Sequence, residues 1–222
     1  PPRRFEEAGV VTNVPLDTSW IDTIRRASAR IMSLTSTPND RRPETAGGGE
    51  HGVRRDVDIT GALELMRQER YVEARAFLAD LPPESAGDPD VLLLHAVLLT
   101  HGGDLVAAEA RSREVLAIDE LSAGANYLVA LCREDAGDRG AATEHDRIAA
   151  YLDPTFAMPR LHLGLLARRG GDHAAARAEF DEALRLLERE DASRLLLYGG
   201  GFGRVGLLEL CRAELRACGV AS

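Results

Sequence analysis

The sequence predicts an all-α protein in which helical hairpins stack into a solenoid. A Gly-Asp dipeptide recurs at intervals of 34 residues, at Gly103-Asp104, Gly137-Asp138 and Gly171-Asp172. A small residue follows each dipeptide at the same interval, at Ala108, Ala142 and Ala176. This interval accommodates two helices of about 12–15 residues and two short turns. A fixed period of this length is the sequence signature of a repeat architecture.

Each part of the recurring motif has a physical role in a hairpin. The glycine ends the first helix, because it adopts a left-handed backbone without a Cβ clash. The aspartate that follows it is placed to cap the second helix. The alanine lets the two helices approach closely. Since no single hairpin buries its apolar face alone, neighbouring hairpins must stack to form a core.

These residues resemble tetratricopeptide repeats, whose pattern includes small residues at positions 8, 20 and 27, Gly-Asp at 15–16 and an aromatic residue near 24. The last repeat matches best, through Gly164, Ala176, Phe180 and Ala183. The resemblance covers about residues 55–190, as a degenerate repeat and three clearer ones, at 55–88, 89–122, 123–156 and 157–190. It implies a tetratricopeptide-repeat helical-hairpin solenoid.

The segments outside the repeats differ in character. Residues 1–34 predict a tail followed by an amphipathic helix, with apolar positions at helical spacing. Residues 35–54 are rich in Ser, Thr, Pro and Gly and predict a flexible linker. Residues 191–222 combine a Gly-rich turn with an amphipathic helix from about Arg204 to Ala217. We expect that helix to cap the exposed face of the last repeat.

Composition argues against several classes of function. The formal net charge of −9 leaves no excess of basic side chains for nucleic-acid phosphates. No apolar run reaches the roughly 18 residues of a membrane span, and no signal peptide is visible. Three cysteines, an odd number in helix-like stretches, favour a reducing, cytoplasmic compartment. The chain begins at Pro1 rather than Met, and we expect it to be a fragment of a longer protein.

No catalytic or metal-binding arrangement stands out in the sequence. The six histidines have no paired spacing with cysteines or carboxylates of the metal-site kind. Cys132 lies in an apolar helical stretch, where a structural thiol is expected. Gly201, Gly203 and Gly206 spell a dinucleotide motif, but too few residues follow for the rest of such a fold, so we expect a tight turn. We therefore expect this fragment not to be an enzyme, and to hold no cofactor or metal.

The resemblance to tetratricopeptide repeats implies a concave groove lined by the first helix of each hairpin. Carried over position by position, it nominates as groove residues Leu93, Val97, Tyr127, Leu131, Glu134, Leu161, Leu165, Arg168 and Arg169. An apolar channel with charged edges suits an amphipathic helix of a protein partner. The carboxylate-binding version of the family needs Asn and Lys where this chain has Leu94, Leu128 and His162. Two alternatives stay open, a groove filled in cis by residues 18–33 and a groove free for a partner.

A second resemblance concerns the C-terminal tail. The run Leu195–Arg204, followed by apolar positions from Leu207 to Leu215, resembles the end of tetratricopeptide-bearing bacterial chemoreceptor glutamate methyltransferases. This likeness implies a regulatory arm of an enzyme that uses S-adenosylmethionine, with the catalytic domain absent here. Implied partners are a helix of a chemoreceptor or signalling protein, or the parent methyltransferase domain, with no nucleic acid and no membrane insertion. The alternative is a general scaffold or assembly adaptor unrelated to methylation.

Overall fold

The computed structural model describes residues 57–219. Within this range the secondary structure is ten α-helices and one short 3-10 turn at Pro83–Ser85, with no strand. The helices are α1 Thr60–Arg67, α2 Tyr71–Ala79, α3 Pro89–Gly102, α4 Leu105–Ile118, α5 Ala123–Asp135, α6 Arg139–Leu152, α7 Ala157–Arg169, α8 His173–Leu187, α9 Ala192–Tyr198 and α10 Arg204–Gly219. The amphipathic helix and the linker expected within residues 1–54 lie outside the described residues. No helix in the described range is long and apolar enough to cross a bilayer.

The first eight helices form four antiparallel hairpins. Each odd-numbered helix from α1 to α7 packs against the helix that follows it, and the second helix of one hairpin packs against the first helix of the next. One continuous core of buried apolar side chains runs from Ala62 in the first hairpin to Cys218 in α10. The prediction of an all-α solenoid of stacked helical hairpins is confirmed.

The Gly-Asp motifs have the role that the sequence predicts. The glycines have left-handed backbones, with φ values of 77°, 82° and 81° at Gly103, Gly137 and Gly171. The aspartate after each glycine accepts a hydrogen bond from a backbone N–H in the first turn of the next helix. The donor–acceptor distances are 3.2 Å for Asp104, 3.0 Å for Asp138 and 2.9 Å for Asp172. Each motif therefore ends one helix and caps the next.

Small residues let the helices of a hairpin approach closely. Ala108, Ala142 and Ala176 are all 0% exposed. At Gly164 an added Cβ would lie 2.6 Å from the ring of Phe180, so this aromatic ring occupies the space that a side chain would need. The same arrangement recurs in the first hairpin, where the ring of Phe77 lies against Gly61. The degenerate first repeat therefore keeps the aromatic contact within its hairpin.

The last two helices leave the hairpin pattern. The short helix α9 contacts α3, two hairpins back along the solenoid. A Gly-rich turn follows, in which Gly200 and Gly201 have positive φ values of 62° and 84°. The chain then returns, and α10 packs along α8 and touches α7. The glycine motif is thus part of a turn between two helices that pack in different places.

Candidate protein-binding groove

The residues nominated for the groove lie on the first helices of the second, third and fourth hairpins. They come from α3 (Leu93, Val97), α5 (Tyr127, Leu131, Glu134) and α7 (Leu161, Leu165, Arg168, Arg169). The apolar members other than Leu93 are at most 4% exposed, and Leu93 is half-buried. Other parts of the chain therefore cover these apolar groove residues.

The occupant is the C-terminal segment of α9 and the turn after it. The ring of Tyr198 packs edge-on against Tyr127 at a centroid distance of 5.9 Å, and against Phe156 at 5.1 Å. Leu197 and Gly200 line the remaining space together with Val97 of the groove. That space measures about 10 Å³, roughly the room for one water molecule. The part of the groove formed by α3 and α5 is thus filled in cis by α9. The alternative of filling by residues 18–33 lies outside the described residues.

Gly124 on α5 makes room for the Tyr198 side chain. A Cβ at Gly124 would overlap the hydroxyl of Tyr198 and lie 2.9 Å from its Cζ. Burial raises the pKa of the Tyr198 hydroxyl further above its ordinary value of 10. Tyr198 is 7% exposed, although it stands next to three consecutive glycines. Its burial depends on the absence of a side chain at position 124.

His101 joins the first two hairpins to the groove occupant. Its ring stacks on that of Tyr71, with 4.6 Å between the centroids and 13° between the planes. Burial lowers the pKa of His101 to about 4, and a hydrogen bond with the backbone of Leu197 opposes this only in part. The imidazole is therefore neutral at pH 7, as its apolar surroundings require.

The charged groove residues are paired within the chain. Arg169 forms an ion pair with Glu134, and Arg168 forms one with Glu214 of α10. The second carboxylate oxygen of Glu134 lies 2.8 Å from Nε2 of His162. We expected these charges at the edge of an open channel, but in this structure they connect the third hairpin, the fourth hairpin and α10.

A buried histidine extends this network into the core. Nδ1 of His162 lies 2.6 Å from Oδ2 of Asp146, and both side chains are 0% exposed. Burial raises the pKa of the Asp146 carboxyl to about 6, a rise that the nearby His162 opposes and Glu179 adds to. Sequence reasoning missed Asp146, but its spacing from Ala142 and Ala149 placed it on the buried face of α6.

Metal-ligating and cysteine side chains of the described residues have the following placements. Among residues 57–219, no group of three or more His, Cys, Asp or Glu side chains could hold a metal ion. Cys132, Cys211 and Cys218 are free and buried. Burial raises the pKa of the Cys132 and Cys211 thiols to about 12, so neither is a thiolate at neutral pH.

The fold and the groove together define a solenoid of helical-hairpin repeats. PcrH from Pseudomonas aeruginosa has a similar structure, with a TM-score of 0.51 and 17% sequence identity over 63% of this chain and 96% of that chain. A MamA crystal structure matches with a TM-score of 0.47 and 18% identity, over 72% of this chain and 89% of that one. PcrH in complex with the chaperone binding region of PopD matches with a TM-score of 0.45 and 19% identity, over 60% and 96% of the two chains. No protein-family model and no curated protein matches the sequence. The likeness to PcrH shows the fold alone.

Proposed function

We propose that this chain is a non-catalytic protein-interaction module that holds a helical segment of a partner in its concave groove. The observation that supports the proposal is that the groove already holds a helix, α9, which belongs to the chain itself. The groove offers buried apolar and aromatic side chains from three successive hairpins, the surface that an amphipathic helix needs. A partner would bind by taking the place of α9.

The occupant is suited to being exchanged. α9 has only seven residues, and a helix of this length is not stable without the groove. It buries Leu195 and Tyr198 in the groove, whereas Ser193 on the same helix is exposed. A longer amphipathic helix would bury more apolar surface in the same channel, at about 25 cal/mol per Å². The module therefore favours partners whose helix exceeds two turns.

A labelled peptide of residues 190–203 tests whether the groove accepts a helix in trans. In the wild-type chain the peptide must compete with a tethered copy, whose effective concentration is on the order of millimolar. Tyr198→Ala weakens the tethered copy, because truncating a buried aromatic side chain removes most of its packing. We expect fluorescence anisotropy to show binding to the Tyr198→Ala variant that is at least about tenfold tighter than binding to wild type.

Tyr151→Ala is the matched control, since Tyr151 lies on α6 and is 83% exposed. It should bind the peptide as weakly as wild type does. Circular dichroism would establish that both variants keep their helices. Equal binding by wild type and both variants would mean that the peptide uses another surface. No binding by any of them would refute the groove as a receptor for helices.

The finer proposal names the partner and rests on the sequence resemblance of the tail. It makes the chain the cytoplasmic regulatory arm of a chemoreceptor methyltransferase, with S-adenosylmethionine bound by the parent enzyme. The partner helix then belongs to a chemoreceptor, to another signalling protein or to the parent catalytic domain. Calorimetry with receptor cytoplasmic helices and with scrambled helices of equal length tests this. If peptide 190–203 binds but receptor helices bind no better than scrambled ones, the chemoreceptor proposal fails. A general scaffold would then be the function.

A further inference from the structure

A second cavity opens between the first and second hairpins and shares no lining residue with the groove. It has a volume of about 310 Å³ and is bounded by α2, the segment with the 3-10 turn, α3 and α4. This volume lies at the lower end of the range typical of small-ligand sites, about 300–1,000 Å³. Four residues of the connection between the hairpins, Leu81, Pro82, Pro83 and Ala86, line this space.

One part of the cavity is apolar. Leu78, Val91 and Leu92 line it with buried side chains, and Pro82 and Pro83 bound it from the connecting segment. These residues belong to consecutive elements of the chain, so the apolar wall is fixed by the packing of α2 on α3. Such a wall favours an aliphatic or aromatic group of a ligand.

The other part of the cavity is cationic. Arg75, His95 and Arg111 line it, and no carboxylate among the described residues does. Arg75 is exposed and has no ion pair or hydrogen bond within residues 57–219. Arg111 pairs with Glu114 at 2.7 Å, but both side chains are more than 40% exposed, and such surface pairs are easily exchanged.

His95 lies near both arginines of this cavity. The pKa of His95 is lowered first by burial and then by the charges of Arg111 and Arg75, with Glu114 opposing. A neutral imidazole adds one hydrogen-bond donor to the two guanidinium groups. With Arg75 and Arg111 in its lining and no carboxylate among the lining residues, the cavity is cationic on a chain whose formal net charge is −9.

We propose that this cavity binds a small organic anion, a carboxylate joined to an apolar body. Guanidinium groups match the geometry of a carboxylate and bind it with two parallel hydrogen bonds. The two arginines would hold the carboxylate, and the wall formed by Leu78, Val91 and Leu92 would take the apolar body. Such a group has two sources, a free acid and the C-terminal residue of a polypeptide.

NMR titration of the full chain tests this site with three probes. Hexanoate represents the free acid, hexanamide is its neutral match, and acetyl-Gly-Leu represents a polypeptide C-terminus. We expect hexanoate to shift the amides of Leu78 and His95 saturably, with hexanamide at least about tenfold weaker, because it lacks the charge that the arginines bind. Tighter binding of acetyl-Gly-Leu than of hexanoate assigns the site to a peptide terminus, and the reverse order assigns it to a free acid.

Variants test whether Arg75 binds the carboxylate and whether this site is independent of the groove. Arg75→Ala should weaken hexanoate at least about tenfold, and its exposed position leaves the fold intact. The control Arg113→Ala removes an exposed arginine on the same helix as Arg111 that pairs with Glu109, and it should change nothing. Tyr198→Ala should also change nothing, so failure of the groove proposal would leave this one standing. Hexanamide binding as tightly as hexanoate, unchanged binding by Arg75→Ala, or no saturable shift with any probe would overturn the proposal.

Discussion

Replacing Gly124 with alanine should release α9 from the groove without changing α9 itself. The new Cβ would overlap the Tyr198 hydroxyl, and Tyr198 cannot turn aside without losing its ring contacts with Tyr127 and Phe156. Overpacking of this kind costs about 1–3 kcal/mol. The higher helix propensity of alanine stabilises α5 whether or not α9 is docked, so it does not change this docking equilibrium. The docking of α9 should therefore weaken by about 1–3 kcal/mol, a factor of about 5 to 150.

Hydrogen exchange measured by mass spectrometry reads this factor directly, because the amides of residues 192–200 exchange when α9 undocks. We expect their exchange to accelerate by about 5- to 150-fold in Gly124→Ala. Gly140→Ala is the matched control, since Gly140 is the second residue of α6 as Gly124 is of α5. Its added Cβ would meet nothing closer than Asp138 Oδ1 at 3.6 Å. Equal exchange in the two variants would mean that Tyr198 does not depend on Gly124, and would refute cis filling of the groove.

Two further predictions concern the core. Burial raises the pKa of Asp146 from its ordinary 3.8 to about 6, so this carboxyl by itself should lower the stability of the folded chain, by on the order of 3 kcal/mol, as pH rises from about 4 through 6. Asp146→Asn keeps an acceptor for His162 but carries no charge. Urea unfolding at pH 4.5 and 7.5 should therefore show that the free energy of unfolding depends less on pH in this variant than in wild type. An unchanged pH dependence would contradict this. Gly164→Ala places a Cβ 2.6 Å from the buried ring of Phe180 and should lower the free energy of unfolding by about 1–3 kcal/mol in urea unfolding. A variant as stable as wild type would show that this close approach of α7 and α8 is not required.

The hairpins were predictable because their signals are local. A glycine that ends a helix and an aspartate that caps the next act within a few residues, and the period of 34 residues repeats them three times. The sequence also contained a signal for one ion pair of the charged network. Glu134 and Arg169 stand 35 residues apart, and in a solenoid that spacing brings their helices side by side. The ion pair was not predicted because each groove position was considered separately.

The position of α9 was not predictable, because it depends on contacts between distant residues. The apolar run that ends at Tyr198 fits a capping helix as well as a helix that enters the groove. The space that receives Tyr198 is made by the missing side chain of Gly124, more than 70 residues earlier in the chain. No sequence pattern within either segment predicts the contact between Tyr198 and Gly124. Leu131, nominated for binding a partner, is 2% exposed and part of the core, and it lines the small space beside Leu197 and Tyr198.

The division of the C-terminal segment into two helices has a consequence for binding. α10 packs along α8 and is held to α7 by the ion pair between Glu214 and Arg168, contacts that do not involve α9. The turn at Gly200 and Gly201 separates the two helices. α9 can therefore leave the groove while α10 still covers the last hairpin, so exchange does not expose the end of the solenoid. The apparent affinity of a partner helix is then its intrinsic affinity multiplied by the fraction of molecules in which α9 is undocked. Changes at Tyr198 or Gly124 should alter that fraction for every partner by the same factor, whereas changes in the partner's own contacts should not.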